Sequence, residues 1–594
     1  MVTAPMSKVT RPVITDVFPR KRLFNLLDQK RRQPVIWVCG PAGCGKTTFV
    51  SSYIDARNLP CLWYQIDEGD ADPATFFYYL GQAAKKAAPR IRRPLPLLTP
   101  EYLQGISAFT FRYFEKLYDR LTPRHPPLAK GGMRGALASG KIRKDLHVYP
   151  PLKKGGRGGF ILVFDNYQEV PSSASFHEVI LNGLSRIPEN VNVIIISRSE
   201  PPPAFIQLQA NSLMGVLGWN ELRLTQEESS AIIRLRSKQK VPKETIQHLH
   251  NTVDGWAAGL VLMLQSVKRS IDSRHLGKLT PEEIFDYLGT VLFDKAGEEI
   301  RDFLLKTAFL PRMTSRMAEE LTDISHSGRI LSTLSKSNYF TEKRFDKEPS
   351  YQYHRLFRDF LLNRARGSFS PETLSMLQSR AALLLEEAEE IEAAALLFRD
   401  ANHWDGLIRL ILKHAPLMVS QGRYRPLEEW LETLPIEVLE NTPWLLYWMG
   451  ECKLRFNPSQ SRPCFEKAFD KFRSEENGAG TFLAWSGVIN SIWLDFSDFK
   501  QFDKWISIFE ELIHDFEEFP SKEIDARVAS SMFIALAMRQ PLHPEIEKWS
   551  ERTFSSLDYH TDTSAKSGAL VNQITYRNFT GDFEKMALPI TLLR

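Results

Sequence analysis

No apolar run in this sequence approaches the roughly 18–20 residues that a membrane-spanning helix needs. The first twenty residues mix Pro, Lys, Arg and Asp and lack the apolar stretch of a secretory signal. The five cysteines, at 39, 44, 61, 452 and 464, are scattered without the spacing of a metal site or a disulfide framework. These absences predict a cytoplasmic protein with reduced thiols and no membrane association. A distributed basic charge is missing too. The net charge is +5, yet nine Lys and Arg between Pro123 and Gly159 face one acid, Asp145, so that stretch carries +8 and the remainder −3. The basic character is local and says little about the partners of the folded domains.

What is present is a long chain of ordinary globular composition. Its 594 residues, 43% hydrophobic and 25% charged, exceed what one core can organise and predict several domains. The first third alternates short apolar runs with helical patterns, the mark of a parallel α/β sheet. Strands are expected at Pro34–Gly40, Leu62–Ile66, Phe160–Phe164 and Asn192–Ile196, with helices such as Thr47–Asn58 and Pro73–Ala88 between them.

The stretch 123–159 interrupts this alternation. It is rich in Gly, Pro, Lys and Arg and contains two related decapeptides, PPLAKGGMRG (126–135) and PPLKKGGRGG (150–159), which match at seven positions. It reads as an inserted surface loop, of the kind a translated repeat element would leave. A nucleic-acid-binding loop is the weaker reading, because Tyr149 is its only aromatic residue.

Beyond Leu222 the pattern becomes helical. Thr225-Gln226-Glu227-Glu228 has the form of a capping box. Ser337–Tyr353 reads as a hairpin within a helical segment, which suggests a winged helix. From about 370 the chain reads as helices to its end, including one at Leu374–Leu397. Ala clusters and recurring aromatics suggest packed helix pairs, a tetratricopeptide-like superhelix without a strict period. The expected organisation is an N-terminal tail (1–18), a P-loop domain (19–215) carrying the insertion, a helical domain (216–285), a winged helix (286–367) and helical repeats (368–594).

Gly40-Pro41-Ala42-Gly43-Cys44-Gly45-Lys46-Thr47 satisfies the P-loop pattern in full and lies between an apolar strand and a helix. The glycines let backbone N–H groups surround phosphate oxygens, and the helix N-terminus adds partial positive charge. Lys46 is expected on the β- and γ-phosphates, Thr47 on Mg2+ and Thr48 near the α-phosphate of ATP or ADP. Asp165, closing the run Phe160–Phe164, is the acid expected to hold the magnesium shell. Asn166 follows it, and an amide cannot accept a proton, which predicts slow hydrolysis unless Glu169 or Asp67 substitutes. Arg198, at the end of another apolar strand, is placed to report a γ-phosphate electrostatically.

These motifs recur in a specific order: the P-loop, WYQIDEGDADPATFFYYL, FDNYQEV, IIISRSEPP, LRLTQEE, DGWAAGL, YHRLFRDFL and LPIEVLENTPWLLYWMGE. In that order the sequence resembles the STAND class of signal-transducing ATPases, in its MalT-like branch of large ATP-binding transcriptional regulators. The resemblance covers roughly Val17 to Asn457 apart from the insertion. It implies a nucleotide-gated switch. The resting form would hold ADP between the ATPase and winged-helix modules. An inducer or protein partner would bind the helical repeats, and ATP would favour an open homo-oligomer. Arg198 matches the sensor arginine and His354 the histidine that meets ADP phosphate. Ala257 of Gly255-Trp256-Ala257 stands where related ATPases have proline, and Arg355 where related switches often have Asp.

Two departures accompany the resemblance. The insertion directly precedes the strand that ends in Asp165. No helix-turn-helix pattern or basic cluster follows residue 500, so DNA binding is expected only through an output domain supplied elsewhere. Two other classes of function stay open: a remodelling P-loop ATPase with steady turnover, and a helical-repeat interaction scaffold whose ATPase has degenerated.

Overall fold

The computed structural model describes residues 7–12, 14, 17–89, 93–99, 105–122, 159–170, 176–236, 242–267, 293–294, 296–336, 341–345, 348–516, 518–560 and 563–593. Most of the inserted stretch, the segment 268–292 and part of the expected hairpin lie outside the described residues. The chain divides into two compact units, with the main boundary between Glu390 and Ile391.

The first unit contains a five-stranded parallel sheet of β1 (Val35–Cys39), β2 (Cys61–Gln65), β3 (Phe160–Asp165), β4 (Val191–Ser197) and β5 (Met214–Leu217), in the order β2-β3-β4-β1-β5. β1 and β3 are buried along their whole length. Sheets covered by helices on both faces need such continuous apolar runs, and the four expected strands appear where those runs lie. β4 separates β3 from β1, with Phe160 beside Val191 and Val35 beside Val193. The loops following β1, β3 and β4 therefore emerge together at the carboxyl edge of the sheet, where ligands of open α/β sheets bind.

A helical region follows. The capping box forms: the Glu228 N–H donates to Thr225 Oγ1 at 3.2 Å, and the Thr225 N–H to Glu228 Oε2 at 3.2 Å. Glu228 also anchors the chain entering the sheet domain. Arg20 donates to it at 2.9 Å and to the carbonyls of Leu222 and Arg223 at 2.8 and 3.0 Å. Burial would raise the Glu228 carboxyl, but hydrogen bonds from Arg20 and Arg22 outweigh it and hold the group below its ordinary value.

The helices Glu298–Thr307, Ser315–Thr322 and Ser327–Lys336 accompany an antiparallel sheet of β6 (Met313–Thr314), which follows the first of them, β7 (Thr341–Phe345) and β8 (Pro349–Tyr353), in the order β6-β8-β7. The helix Arg355–Ser368 follows directly. This is a winged-helix arrangement. Tyr353 is buried, its hydroxyl 2.6 Å from Thr307 Oγ1, and Arg358 donates to the Ala308 carbonyl at 2.8 Å. These two anchors fix the intervening pair, His354 and Arg355, to the winged helix.

The second unit is helical, running from Ile391–Asp400 to Ala587–Leu593 in successive packed helices. Its core interleaves large rings with very small residues. Gly450 and Gly487, on helices flanking Phe465, lie so close to that ring that a Cβ would approach it to 2.7 and 2.5 Å. Aromatic volume is thus accommodated by missing side chains on neighbouring helices. The expected single helix over Leu374–Leu397 is instead two, Pro371–Glu387 and Ile391–Asp400. Glu389 between them is left-handed, φ 61°, a conformation a continuous helix cannot contain.

Arg20→Ala is expected to leave Glu228 charged and buried without its main partner. Denaturant titration should show a loss of about 3–5 kcal/mol, the usual consequence of breaking one side of a buried pair. A change below about 0.5 kcal/mol would mean that solvent replaces the arginine freely.

Candidate functional site at the carboxyl edge of the parallel sheet

The loop from Gly40 to Gly45 connects β1 to the helix Lys46–Arg57. Gly43 and Gly45 take φ values of 73° and 87°, in the left-handed region that side chains strain. A turn at the start of the helix Ala257–Val267 holds the loop in place. Trp256 Nε1 donates to the Ala42 carbonyl at 2.8 Å, and the Ala258 N–H donates to the Gly43 carbonyl at 3.0 Å. These bonds engage carbonyls, the loop groups that would repel an anion. A Cβ on Gly43 would sit 2.6 Å from the Ala258 Cβ. Ala257 thus lies between the two residues of a turn that braces the P-loop.

Lys46 is buried, and its ammonium donates to the carbonyls of Gly40 and Pro41 at 2.6 and 3.0 Å. Burial lowers its pKa, and repulsion from Arg198 adds to the effect, while Cys44 and Asp165 oppose it. A buried cation resting on neutral carbonyls is poorly compensated, and a phosphate would complete it. Thr47 Oγ1 donates to Asp165 Oδ1 at 3.2 Å. The Asn166 N–H donates to the same oxygen at 3.0 Å, and Asp165 is only 1% exposed. Hydroxyl and carboxylate are thereby brought together as a magnesium-phosphate site requires. The glycine cradle, the under-compensated lysine and this pair all fit a magnesium nucleotide.

A cavity of about 360 Å³ opens here, lined by three modules. The sheet domain contributes Gly43 to Thr48, Asp165, Asn166, Gln168 and Arg198. The helical region contributes Leu224, Ile232, Ala257 and Val261, and the winged helix Gln352 to Arg355. Its volume lies within the range of small-molecule sites, about 300–1,000 Å³. Of the residues singled out in the sequence, Gly43, Gly45, Lys46, Thr47, Thr48, Asp165, Arg198 and His354 all line this cavity. Gly40 is not among the lining residues, and its carbonyl accepts from Lys46. Asp67 is elsewhere: it accepts from the Gly69 N–H at 3.0 Å and pairs with Lys8 at 2.7 Å, a structural cap.

Gln168, and the engagement of Glu169 by Arg355, are not evident from the sequence. Gln168 Oε1 accepts from the backbone N–H of Arg198 at 2.9 Å, and its Nε2 donates to Glu169 Oε1 at 2.7 Å. Glu169 forms an ion pair with Arg355. Burial would raise the Glu169 carboxyl, but hydrogen bonds from Arg355 and Gln168 hold it below its ordinary value. The available signal was adjacency, since Gln168 and Glu169 closely follow Asp165 and Arg355 follows His354.

Gly43→Ala should destabilise the protein by about 1–3 kcal/mol, because a side chain there is strained at positive φ and overlaps Ala258. Thermal and urea unfolding of the nucleotide-free protein measure it, and an unchanged midpoint would show that the loop is not braced as described.

Residues 290–374 match the MalT winged helix domain. The chain is 25% identical over 482 residues, 79% of its length, to the HTH-type transcriptional regulator MalT of Serratia proteamaculans. It is 24% identical over 463 residues, 76% of its length, to MalT of Vibrio cholerae. It spans about half of each relative, 49% and 47% respectively. Among solved structures it shares its fold with a STAND protein with a tetratricopeptide repeat sensor from Pyrococcus horikoshii. The TM-score is 0.56 at 14% identity, covering 99% of this chain and 84% of that one. Among the described residues no helix is long and apolar enough to cross a membrane. The chain thus carries a winged-helix domain of the MalT type, is similar to MalT over most of its length, and shares its fold with a STAND protein.

Proposed function

We propose that the chain is a nucleotide-gated signalling switch that regulates transcription, and that the arrangement described is its closed form. The observation carrying this reading is the composition of the cavity wall. P-loop residues, the Asp165 carboxylate, Arg198 and the winged-helix residues Gln352 to Arg355 all face one space. A ligand there touches both modules, so its affinity depends on whether they are together.

In this reading Lys46 and the backbone of Gly43–Thr48 hold the phosphates of ATP or ADP. Thr47 and Asp165 hold Mg2+, which neutralises phosphate charge when bound. Arg198 and His354 face the terminal phosphate. The apolar wall of Leu224, Ile232 and Val261 suits the base. ADP favours the closed arrangement through His354, and ATP the open one. An inducer or protein partner on the helical repeats shifts the balance only by binding one state better than the other. The open form assembles into a homo-oligomer, and any contact with DNA is made by an output domain outside the residues described. Asn166, with no proton-accepting group, suits a switch that turns over slowly better than a remodelling motor.

The test is to denature the purified protein and identify released nucleotide by chromatography, with Lys46→Ala alongside. Near-stoichiometric adenine nucleotide in the parent, absent from the variant, is the expected result. A parent without nucleotide that also takes up no added Mg-ATP would sink the reading.

A further inference from the structure

The closed form contains a polar relay that runs from the nucleotide-facing edge of the sheet to the winged helix. It begins at Arg198, whose backbone N–H donates to Gln168 Oε1 at 2.9 Å. Gln168 Nε2 donates to Glu169 Oε1 at 2.7 Å, and Glu169 is ion-paired with Arg355. Three of the four members, Gln168, Arg198 and Arg355, line the cavity. The short 3-10 turn Tyr167–Glu169 that carries two of them starts from Asn166, itself left-handed at φ 64°, directly after Asp165.

Each end of the relay is mounted on a rigid body. On the sheet side, Arg198 follows Ser197, the last residue of β4, which is paired with Cys39 of β1 at the root of the P-loop. Trp37 of β1 donates from Nε1 to the Ser199 carbonyl at 3.0 Å, holding the backbone beyond Arg198. On the winged-helix side, Tyr353 and Arg358 are fixed to Thr307 and Ala308. Arg355 therefore cannot leave Glu169 without either a rotamer change or movement of the winged helix. The Glu169 carboxylate is well shielded, with 11% side-chain exposure, while Arg355 retains 47%. An ion pair with one shielded partner and bridging hydrogen bonds is stronger than the exposed pairs that contribute little.

We propose that Glu169 and Arg355 form the latch that keeps the winged helix closed over the nucleotide, and that Gln168 couples this latch to Arg198. The proposal rests on the nucleotide-switch reading and names how that site is regulated. Gln168 and Arg355 are positioning residues. A shift of the turn Tyr167–Glu169 against the fixed Arg198 backbone, as a terminal phosphate is gained or lost beside Asp165, withdraws the Gln168 amide from the Arg198 N–H. The reoriented amide no longer supports Glu169, and the latch weakens. Two states of one hydrogen-bonded chain thus link the phosphate end of the cavity to the position of the winged helix.

The experiment uses the full chain and an adenosine diphosphate carrying a fluorescent ribose label. Its release is followed in stopped flow after mixing with excess unlabelled diphosphate. Arg355→Glu and Glu169→Arg are each expected to speed release roughly fivefold or more, as loss of a shielded, hydrogen-bonded ion pair supports. The charge-swapped double variant should return release to within about threefold of the parent, the partial recovery expected when a coupled pair is restored in reverse. Gln168→Leu, a milder change, should also speed release and should reduce the further effect of Arg355→Glu. Unfolding of the nucleotide-free variants, followed alongside, separates a latch from general destabilisation.

If both single variants release the label at the parent's rate while binding it normally, the latch is overturned and the switch reading stands. Faster release without rescue by the swap also overturns it, since the side chains would then act separately. A parent that binds no labelled diphosphate overturns the latch together with the reading beneath it.

Discussion

The P-loop must turn through left-handed backbone at Gly43 and Gly45 while another segment presses against it. Trp256 and Ala258 take its carbonyls from one side, and the only side chain that fits at Gly43 is a hydrogen atom. Much of the site depends on that contact. It makes the helical region part of the nucleotide cradle, and it determines where the buried Lys46 ammonium begins. Rigid seating also sets the electrostatics. With burial and Arg198 disfavouring its charge, Lys46 is held in a state that gains most from a phosphate. A looser loop would let water solvate the lysine and would lose this bias.

Which parts of the molecule are legible in the sequence follows from the range of the forces involved. β1 to β4 are apolar runs because both faces of the sheet are covered, so burial writes them directly into composition. β5, Met214–Leu217, escapes that reading: it is four residues long, contains Gly215 and, among the described residues, pairs with β1 alone. The break at Glu389 escapes as well, since a single left-handed residue leaves helical periodicity on both sides intact. At the site, the glycines and Lys46 are legible because the chain geometry of a phosphate cradle admits few alternatives. Asp165 is legible because a strand announces it. The Glu169–Arg355 pair is not, since it joins two loops far apart in sequence that only the fold brings together. His354 and Arg198 lie between these cases: the family resemblance points to them, and both line the one cavity, from different modules.

The modules around the cavity are held by contacts of different kinds. The helical region grips the sheet domain through a buried ion pair, Arg20 with Glu228, and through the apolar Trp256 turn. The winged helix reaches the turn after Asp165 through a charged contact, Glu169 with Arg355, whose arginine is half exposed. Apolar and fully buried contacts are hard to break reversibly, because separation exposes surface or strands a charge. A pair with one half-exposed partner, stronger than a surface pair, still opens at lower cost than a fully buried one, because water can replace the contact on the arginine. The contact best suited to reversible opening therefore lies on the winged-helix side of the cavity. The proposed switch, with a fixed cradle and a movable cover, needs that asymmetry.

The insertion before β3 can be weighed in the same terms. Lengthening a loop adds closure entropy only logarithmically, so a long insertion need not cost much if the residues at its ends can still reach their places. The helix Ile106–Leu121 forms before it, and β3 pairs along its length with β2 and β4 after it, with Asp165 opposite Gln65. The entry to β3 is nevertheless demanding. A Cβ on Gly159 would lie 2.5 Å from the Asn190 carbonyl, which already accepts the Phe160 N–H at 2.8 Å. Gly159 is the last residue of the second decapeptide, so the repeat supplies the one residue type this junction admits. A side chain there would press on that carbonyl and push the start of β3 away from its neighbour, and with it Asp165 from Thr47. The residue type at this junction, more than the length of the inserted segment, decides whether the pairing of Thr47 with Asp165 survives.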